Sequence, residues 1–290
     1  MAQHGAVVVG LGSVGHGVPE LDWAAREARS RHRPLHIVRA YHLSQAALPW
    51  ENITDRELIG DLRRLAEERV AAALSHVGAH WPDVRADASV VDGVAWDVLR
   101  DASRSAEVTV LGSRHLSAVG CAVLGSVSTV VAAGGFGPVV VVGAPPASSA
   151  ELAQVVVGVD GSEQMDSVLA FAFDYASRRK LPLHAVYCWN PDLLATMRWR
   201  PVPPAPERAN RWLAEAVAGW QEKYPDVVVR RGVIREHPVP GLVLASAGED
   251  LLVVGSETRH ARLGSLLGSV SQGVLHHATC PVAVVHPYAD

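Results

Sequence analysis

Short apolar runs alternate along the chain with stretches of helical spacing, and the alternation occurs twice. Ala6–Gly10 and Val155–Val159 are apolar runs that lead into Gly/Ser turns. Behind each turn the apolar positions take up helical spacing, over Leu21–Arg31 and over Ser167–Arg179, where Val168, Leu169, Phe171, Ala172 and Tyr175 share a face. Pro34-Leu35-His36 and Pro182-Leu183-His184 then open second strands that end near Tyr41 and Trp189. Long helices follow over about Asp55–His76 and Glu207–Lys223, then a strand after Pro82 or Pro225. In the third predicted helix, Leu99, Ala102 and Ser103 match Leu242, Ala245 and Ser246. Leu251–Val254 is an unbroken apolar run and Val108–Leu111 is interrupted only by Thr109, the pattern of central strands buried on both faces. A helix begins near Ser126 or Ser269, and Val139–Val142 or Val282–Val285 supplies the last strand. Strict strand–helix alternation requires right-handed crossovers and a parallel sheet with helices on both faces.

The two series are copies of one another. Leu124-Gly125-Ser126-Val127-Ser128 recurs letter for letter as Leu267-Gly268-Ser269-Val270-Ser271, a shift of 143 residues. The same shift carries Gly112-Ser113 onto Gly255-Ser256 and Pro138-Val139 onto Pro281-Val282. Over the first two strands the shift is 148, so the second copy is five residues shorter in the Pro-rich loop after its second strand. A period this long is the size of a domain rather than of a solenoid repeat. The chain divides at the linker Gly143–Ala150 into domains expected at 1–145 and 152–290.

Composition narrows the functional classes. The 290 residues are 49% hydrophobic and 19% charged, with a net charge of −4 and no run of Lys or Arg, so no nucleic-acid partner is expected. Cys121, Cys188 and Cys280 are scattered and odd in number, which speaks against disulfides or a zinc site and fits a reducing cytoplasm. Leu116–Ala150 holds no Asp, Glu, Lys or Arg, but repeated glycines, Pro138 and several serines break it, so a soluble loop, helix and strand are expected rather than a membrane span. The start, Met1–Gly5, runs directly into a strand pattern without a basic region or long apolar segment, and no signal peptide is read there.

Two glycine motifs compete for attention. Gly10-Leu-Gly12-Ser-Val-Gly15 has the spacing of a dinucleotide fingerprint behind a strand, yet the second strand ends Val38-Arg39-Ala40-Tyr41 without an acid for the ribose. The other copy reads Gly158-Val-Asp160-Gly161-Ser162-Glu163, which breaks the pattern. The fingerprint is therefore read as coincidental, and there is no GxxxxGK[ST]. More informative is Gly112-Ser113 or Gly255-Ser256 at the end of strand four, with Gly125-Ser126 or Gly268-Ser269 opening the next helix. A helix start offers unpaired N–H donors and the positive dipole end to an anion, while Ser126 and Ser269 read equally as N-caps. Adjacent His276-His277 late in the last helix do not share a face and are read as surface residues rather than a metal pair. No spacing identifies a nucleophile and base, and Asp160, Ser162 and Asp166 are read as turn and cap residues.

On these residues the halves resemble universal stress protein domains, and the chain is similar to the tandem members of that family. The resemblance rests on Val155-Val-Val-Gly158-Val-Asp160-Gly161-Ser162, on the family's Gly-x2-Gly-x9-Gly-Ser pattern after strand four, kept here except at its middle glycine, and on Leu-Gly-Ser-Val-Ser followed by a helix and Pro-Val-x-Val-Val. It implies α/β architecture: two tandem Rossmann-like (adenine nucleotide alpha hydrolase-like) domains, each a five-stranded parallel sheet with helices on both faces. It implies ATP, accompanied by Mg, at the carboxyl ends of strands one and four. Carried over by position, Gly158 and Asp160 would lie by the nucleoside and the main chain of Cys188 by the adenine. Gly255, Ser256 and Thr258 would form the phosphate and ribose loop, with Gly268, Ser269, Val270 and Ser271 at the phosphates. The first-half matches are Gly10, Ala40, Gly112, Ser113, His115, Gly125, Ser126 and Val127.

The departures set the functional expectation. His115 and Thr258 stand where the family pattern has a glycine, and Gly12 replaces the acid retained as Asp160. A cytoplasmic stress-response protein is expected, with an adenine nucleotide best held in the second half. At most weak ATP hydrolysis and no catalytic residue are expected. The alternative is a nucleotide-free scaffold acting through protein partners. The resemblance further implies that the halves form an intrachain pseudo-dimer, with a homodimer of the whole chain as an extension.

Overall fold

A computed structural model of the chain describes residues 5–12, 18–43, 55–113, 125–143, 153–162, 164–189, 206–256 and 267–287. The described residues form two compact units, and the two sequence halves repeat one pattern of elements. In the first half these are β1 (Ala6–Gly10), α1 (Val18–Arg31), β2 (Leu35–Tyr41), α2 (Asp55–His80), β3 (Ala86–Asp92), α3 (Ala95–Ser103), β4 (Ala106–Gly112), α4 (Ser126–Gly134) and β5 (Val139–Val142). In the second they are β6 (Val155–Gly158), α5 (Met165–Arg179), β7 (Leu183–Cys188), α6 (Pro206–Lys223), β8 (Val229–Ile234), α7 (Pro238–Ala245), β9 (Leu251–Gly255), α8 (Ser269–His277) and β10 (Val282–Val285).

Strand order within the first unit is β3-β2-β1-β4, and within the second β10-β9-β6-β7-β8. In each, the first strand pairs in parallel with both the second and the fourth. The chain therefore builds outward through two crossovers and then returns to the other side of its first strand. That reversal opens a crevice beyond the carboxyl ends of β1 and β4, or of β6 and β9, where ligands of open α/β sheets bind. The apolar runs are buried as their pattern requires: Val7, Val8 and Val9, Val155, Val156 and Val157, and Leu251, Leu252 and Val253 are all 0% exposed. Each such side chain contributes roughly 1.5–3 kcal/mol of burial free energy. α1 lies beside α2 and α3 beside α4, with the same pairing of α5 with α6 and α7 with α8.

Element edges differ modestly from the sequence reading. α2 continues to His80 rather than His76, and α1 and α5 begin a few residues earlier, at Val18 and Met165. α1 and α5 both end without a glycine: His32 (φ 52°) and Lys180 (φ 54°) take left-handed conformations at equivalent positions. The amides that follow close the helix ends, Arg33 N–H on the Ala28 carbonyl and Leu181 N–H on the Ala176 carbonyl, both at 2.9 Å.

Candidate functional site

Gly10 and Gly158 end the two first strands, in places with little room for a side chain. A Cβ at Gly10 would lie 2.8 Å from both Leu99 and Leu111; one at Gly158 would lie 3.1 Å from Leu242. After β6 the chain turns at Asp160-Gly161. Gly161 has φ +72°, and the Asp160 carboxylate accepts the Ser162 N–H at 2.9 Å, an Asx-type turn. This agrees with the reading of Asp160 and Ser162 as turn residues, and it leaves the exposed Asp160 at the mouth of the crevice.

Cys188 ends β7 with its thiol turned toward the Pro238 carbonyl on α7, at 3.9 Å, and its main chain at the carboxyl end of the strand. Burial pushes the thiol pKa up to about 11, aided by Glu236. Ala40 takes the corresponding place near the end of β2. Ser113 and Ser256 stand just past β4 and β9, each donating its N–H to the last strand, on Val142 and Val285. The Ser113 hydroxyl is buried without a hydrogen-bond partner.

The repeated Leu-Gly-Ser-Val-Ser motif divides its labour. Gly125 and Gly268 are the N-cap residues, both extended (ψ 145° and 148°), and neither helix has a side-chain cap. Ser126 and Ser269 are therefore the first helical residues, not the caps that the sequence alternatively suggested. Both are exposed, beside first-turn N–H groups that have no partner inside a helix. The second serine points the other way. Ser128 Oγ donates to the Gly112 carbonyl at 2.8 Å, and Ser271 Oγ to the Gly255 carbonyl at 2.5 Å. These buried bonds fix the helix start against the end of the fourth strand, so Ser271 positions the turn carrying Gly268, Ser269 and Val270. Val127 and Val270 are half-buried beside them. His115 and Thr258 lie outside the described residues.

Each half thus carries the glycine–serine motif on the same elements, as two copies of one domain must. The universal stress protein family model matches residues 6–143 and again 152–286. The chain belongs to the universal stress protein family. A universal stress protein of Mycobacterium tuberculosis is 34% identical over 294 residues, covering 97% of each chain. One from Mycolicibacterium smegmatis is 35% identical over 289 residues with the same coverage. A solved universal stress protein from Archaeoglobus fulgidus superimposes with a TM-score of 0.72 over 98% of this chain and 99% of that one. At 17% identity that likeness speaks for the fold alone.

Within this family frame the two crevices differ in ways the motifs did not reveal. In the second half Tyr187 (β7) meets Trp212 (α6) edge-on, with centroids 5.3 Å apart, and a Cβ at Gly161 would lie 2.8 Å from the Trp212 ring. The residues at the same repeat positions in the first half are Arg39 and Arg69. A Cβ at Gly112 would lie 2.6 Å from Oε1 of buried Glu20, whereas one at Gly255 would lie 3.4 Å from Val168, the repeat counterpart of Glu20. The repeat shift could have found these pairs once the motifs had set the alignment.

The sequence also hid a His–Asp–Ser grouping. His36 on β2 pairs through Nδ1 with Asp87 and through Nε2 with Ser89 Oγ at 3.0 Å, both on β3. It sits near the amino end of β2, away from the crevice, and serves as a clamp between the strands. In the second half the facing residues are Arg230 and Gly232, and burial lowers the pKa of His184. Among the described residues no helix is long and apolar enough to cross a membrane, and no His, Cys, Asp and Glu group could hold a metal.

Proposed function

We propose that this family member is a cytoplasmic, nucleotide-binding regulatory protein of the stress response, holding ATP with its Mg in the second half. The observation that carries the reading is the start of α8. Its glycine cap, outward Ser269 and first-turn N–H groups, held against β9 by Ser271, form a donor set suited to phosphate oxygens. The Asp160 turn and the main chain of Cys188 lie at the ends of the neighbouring strands, the places for ribose and base. No residue is assigned to the metal, which phosphate oxygens would hold. The role is binding and regulation, with at most weak ATP hydrolysis.

In the first half Gly12 supplies no carboxylate and Glu20 adds one beside Gly112, so at most one ATP is held tightly per chain. Both domains, 1–145 and 152–290, are proposed to pair as an intrachain pseudo-dimer, with a homodimer of the whole chain as a further level. Denaturing the purified protein and separating the released small molecules by ion exchange against nucleotide standards tests the reading. One adenine nucleotide per chain is expected. No release, and no calorimetric heat on adding ATP, would favour the second reading, a nucleotide-free scaffold for protein partners.

A further inference from the structure

In the first-half crevice two arginines, Arg39 and Arg69, hold the repeat positions of the two aromatic rings of the second half, Tyr187 and Trp212. Arg39 leaves the end of β2, and its Nη1 donates to the Leu11 carbonyl at 2.8 Å, just past β1. That bond occupies one arm of the guanidinium and leaves the Nε/Nη2 edge, the side that grips an oxyanion with two parallel hydrogen bonds. Nε is buried and has no hydrogen-bond partner. Arg69, on the exposed side of α2, bears on the same group: desolvation and then the Arg69 charge hold the Arg39 pKa down. Among the described residues no carboxylate pairs with either arginine.

Register supports the placement. α2 and α6 bury matching positions, Ala66 with Ala209 and Val70 with Leu213, which puts Arg69 where Trp212 stands against Tyr187. Two like charges within electrostatic reach of one another, one with an unsatisfied Nε, cost free energy that an anion would recover. Their combined charge suits a dianion, and a phosphate monoester carries about −1.5 to −2 at neutral pH. At the other end of this crevice buried Glu20 stands beside Gly112, a poor neighbour for a triphosphate.

We propose that the first half is a second binding site of different chemistry, taking a small phosphate monoester between Arg39 and Arg69 at the carboxyl ends of β1 and β2. This site is independent of the nucleotide reading for the second half. The shared chemistry is the phosphate group, whether free or on a small metabolite.

The test titrates inorganic phosphate, and separately glycerol 3-phosphate, into the full chain by calorimetry at constant ionic strength set with chloride. Binding of one phosphate group per chain is expected, unchanged by saturating ATP. Arg39→Leu and Arg69→Leu should each weaken it roughly ten- to a hundred-fold. Arg39→Lys should also weaken it, since it keeps the charge and loses the fork, and it guards against misfolding of the leucine variant. Arg64→Leu removes a surface guanidinium already paired with Asp61 and Glu68 and should change nothing. Tighter binding of glycerol 3-phosphate than of phosphate would assign the site to a metabolite, and the reverse to the free ion. Absence of binding by both probes, binding that survives Arg39→Leu and Arg69→Leu, or displacement by ATP would overturn the proposal. Failure of ATP to bind anywhere would sink the nucleotide reading and leave this one standing.

Discussion

Ser271→Ala tests whether the second serine of the repeated motif is structural. The hydroxyl is 3% exposed and its hydrogen bond to the Gly255 carbonyl is the tie between α8 and β9. Deleting a buried neutral hydrogen bond costs about 1–2 kcal/mol, with a further contribution if the carbonyl is left unsatisfied. With a urea m-value of roughly 2 kcal/mol/M, the unfolding midpoint should fall by roughly 0.5–1 M. Ser128→Ala removes the matching bond to Gly112 and should cost a similar amount. The two variants should part company on ligand binding. Only Ser271→Ala loosens the helix start proposed to hold phosphates, so only it should weaken ATP in calorimetry. A Ser271→Ala protein whose midpoint stays within about 0.2 M of the parent, with urea unfolding followed by circular dichroism, would refute the argument that this bond fixes the helix. Equal loss of ATP affinity in both variants would refute the assignment of the nucleotide to the second half.

Asp160→Ala should weaken ATP roughly ten- to a hundred-fold by loss of a charge-assisted hydrogen bond, and Gly268→Val should weaken it by placing a side chain at the helix cap; calorimetry reads both. Lys180→Gly should stabilise the protein by about 1 kcal/mol, because it relieves the left-handed strain at φ 54°, and thermal unfolding measures it. Gly10→Ala should destabilise the protein by about 1–3 kcal/mol, since its Cβ would lie 2.8 Å from Leu99 and Leu111. Gly158→Ala, with 3.1 Å to Leu242, should cost less in the same denaturant titration. Cys188 and Cys280 have pKa values raised by burial from 9.0 to about 11, so the folded state holds protons that the unfolded state releases. Stability should therefore fall as pH rises from about 9 to about 11, and Cys188→Ala with Cys280→Ala should flatten that decline.

The sequence by itself determined the number of halves, the order of their elements and the fold class. Those properties depend on local periodicity and on repetition, and both are written along the chain. Short valine runs bounded by Gly and Pro are the pattern of strands buried on both faces, and strand–helix alternation favours one handedness of crossover. It also exposed Gly112, Gly125, Gly255 and Gly268, because the motif is repeated letter for letter. The directions of side chains were decided in three dimensions. Ser126 and Ser128 are two residues apart, yet one faces outward and the other ties the helix to β4; only the placement of the Gly112 carbonyl settles which does what. Glu20 reaches Gly112 from α1, and the charge of Arg69 on α2 acts on Arg39 of β2, at separations that no local pattern encodes. Packing a helix against a sheet brings such distant positions together, and the charge they carry there, rather than the glycine motif the halves share, makes the two crevices chemically different.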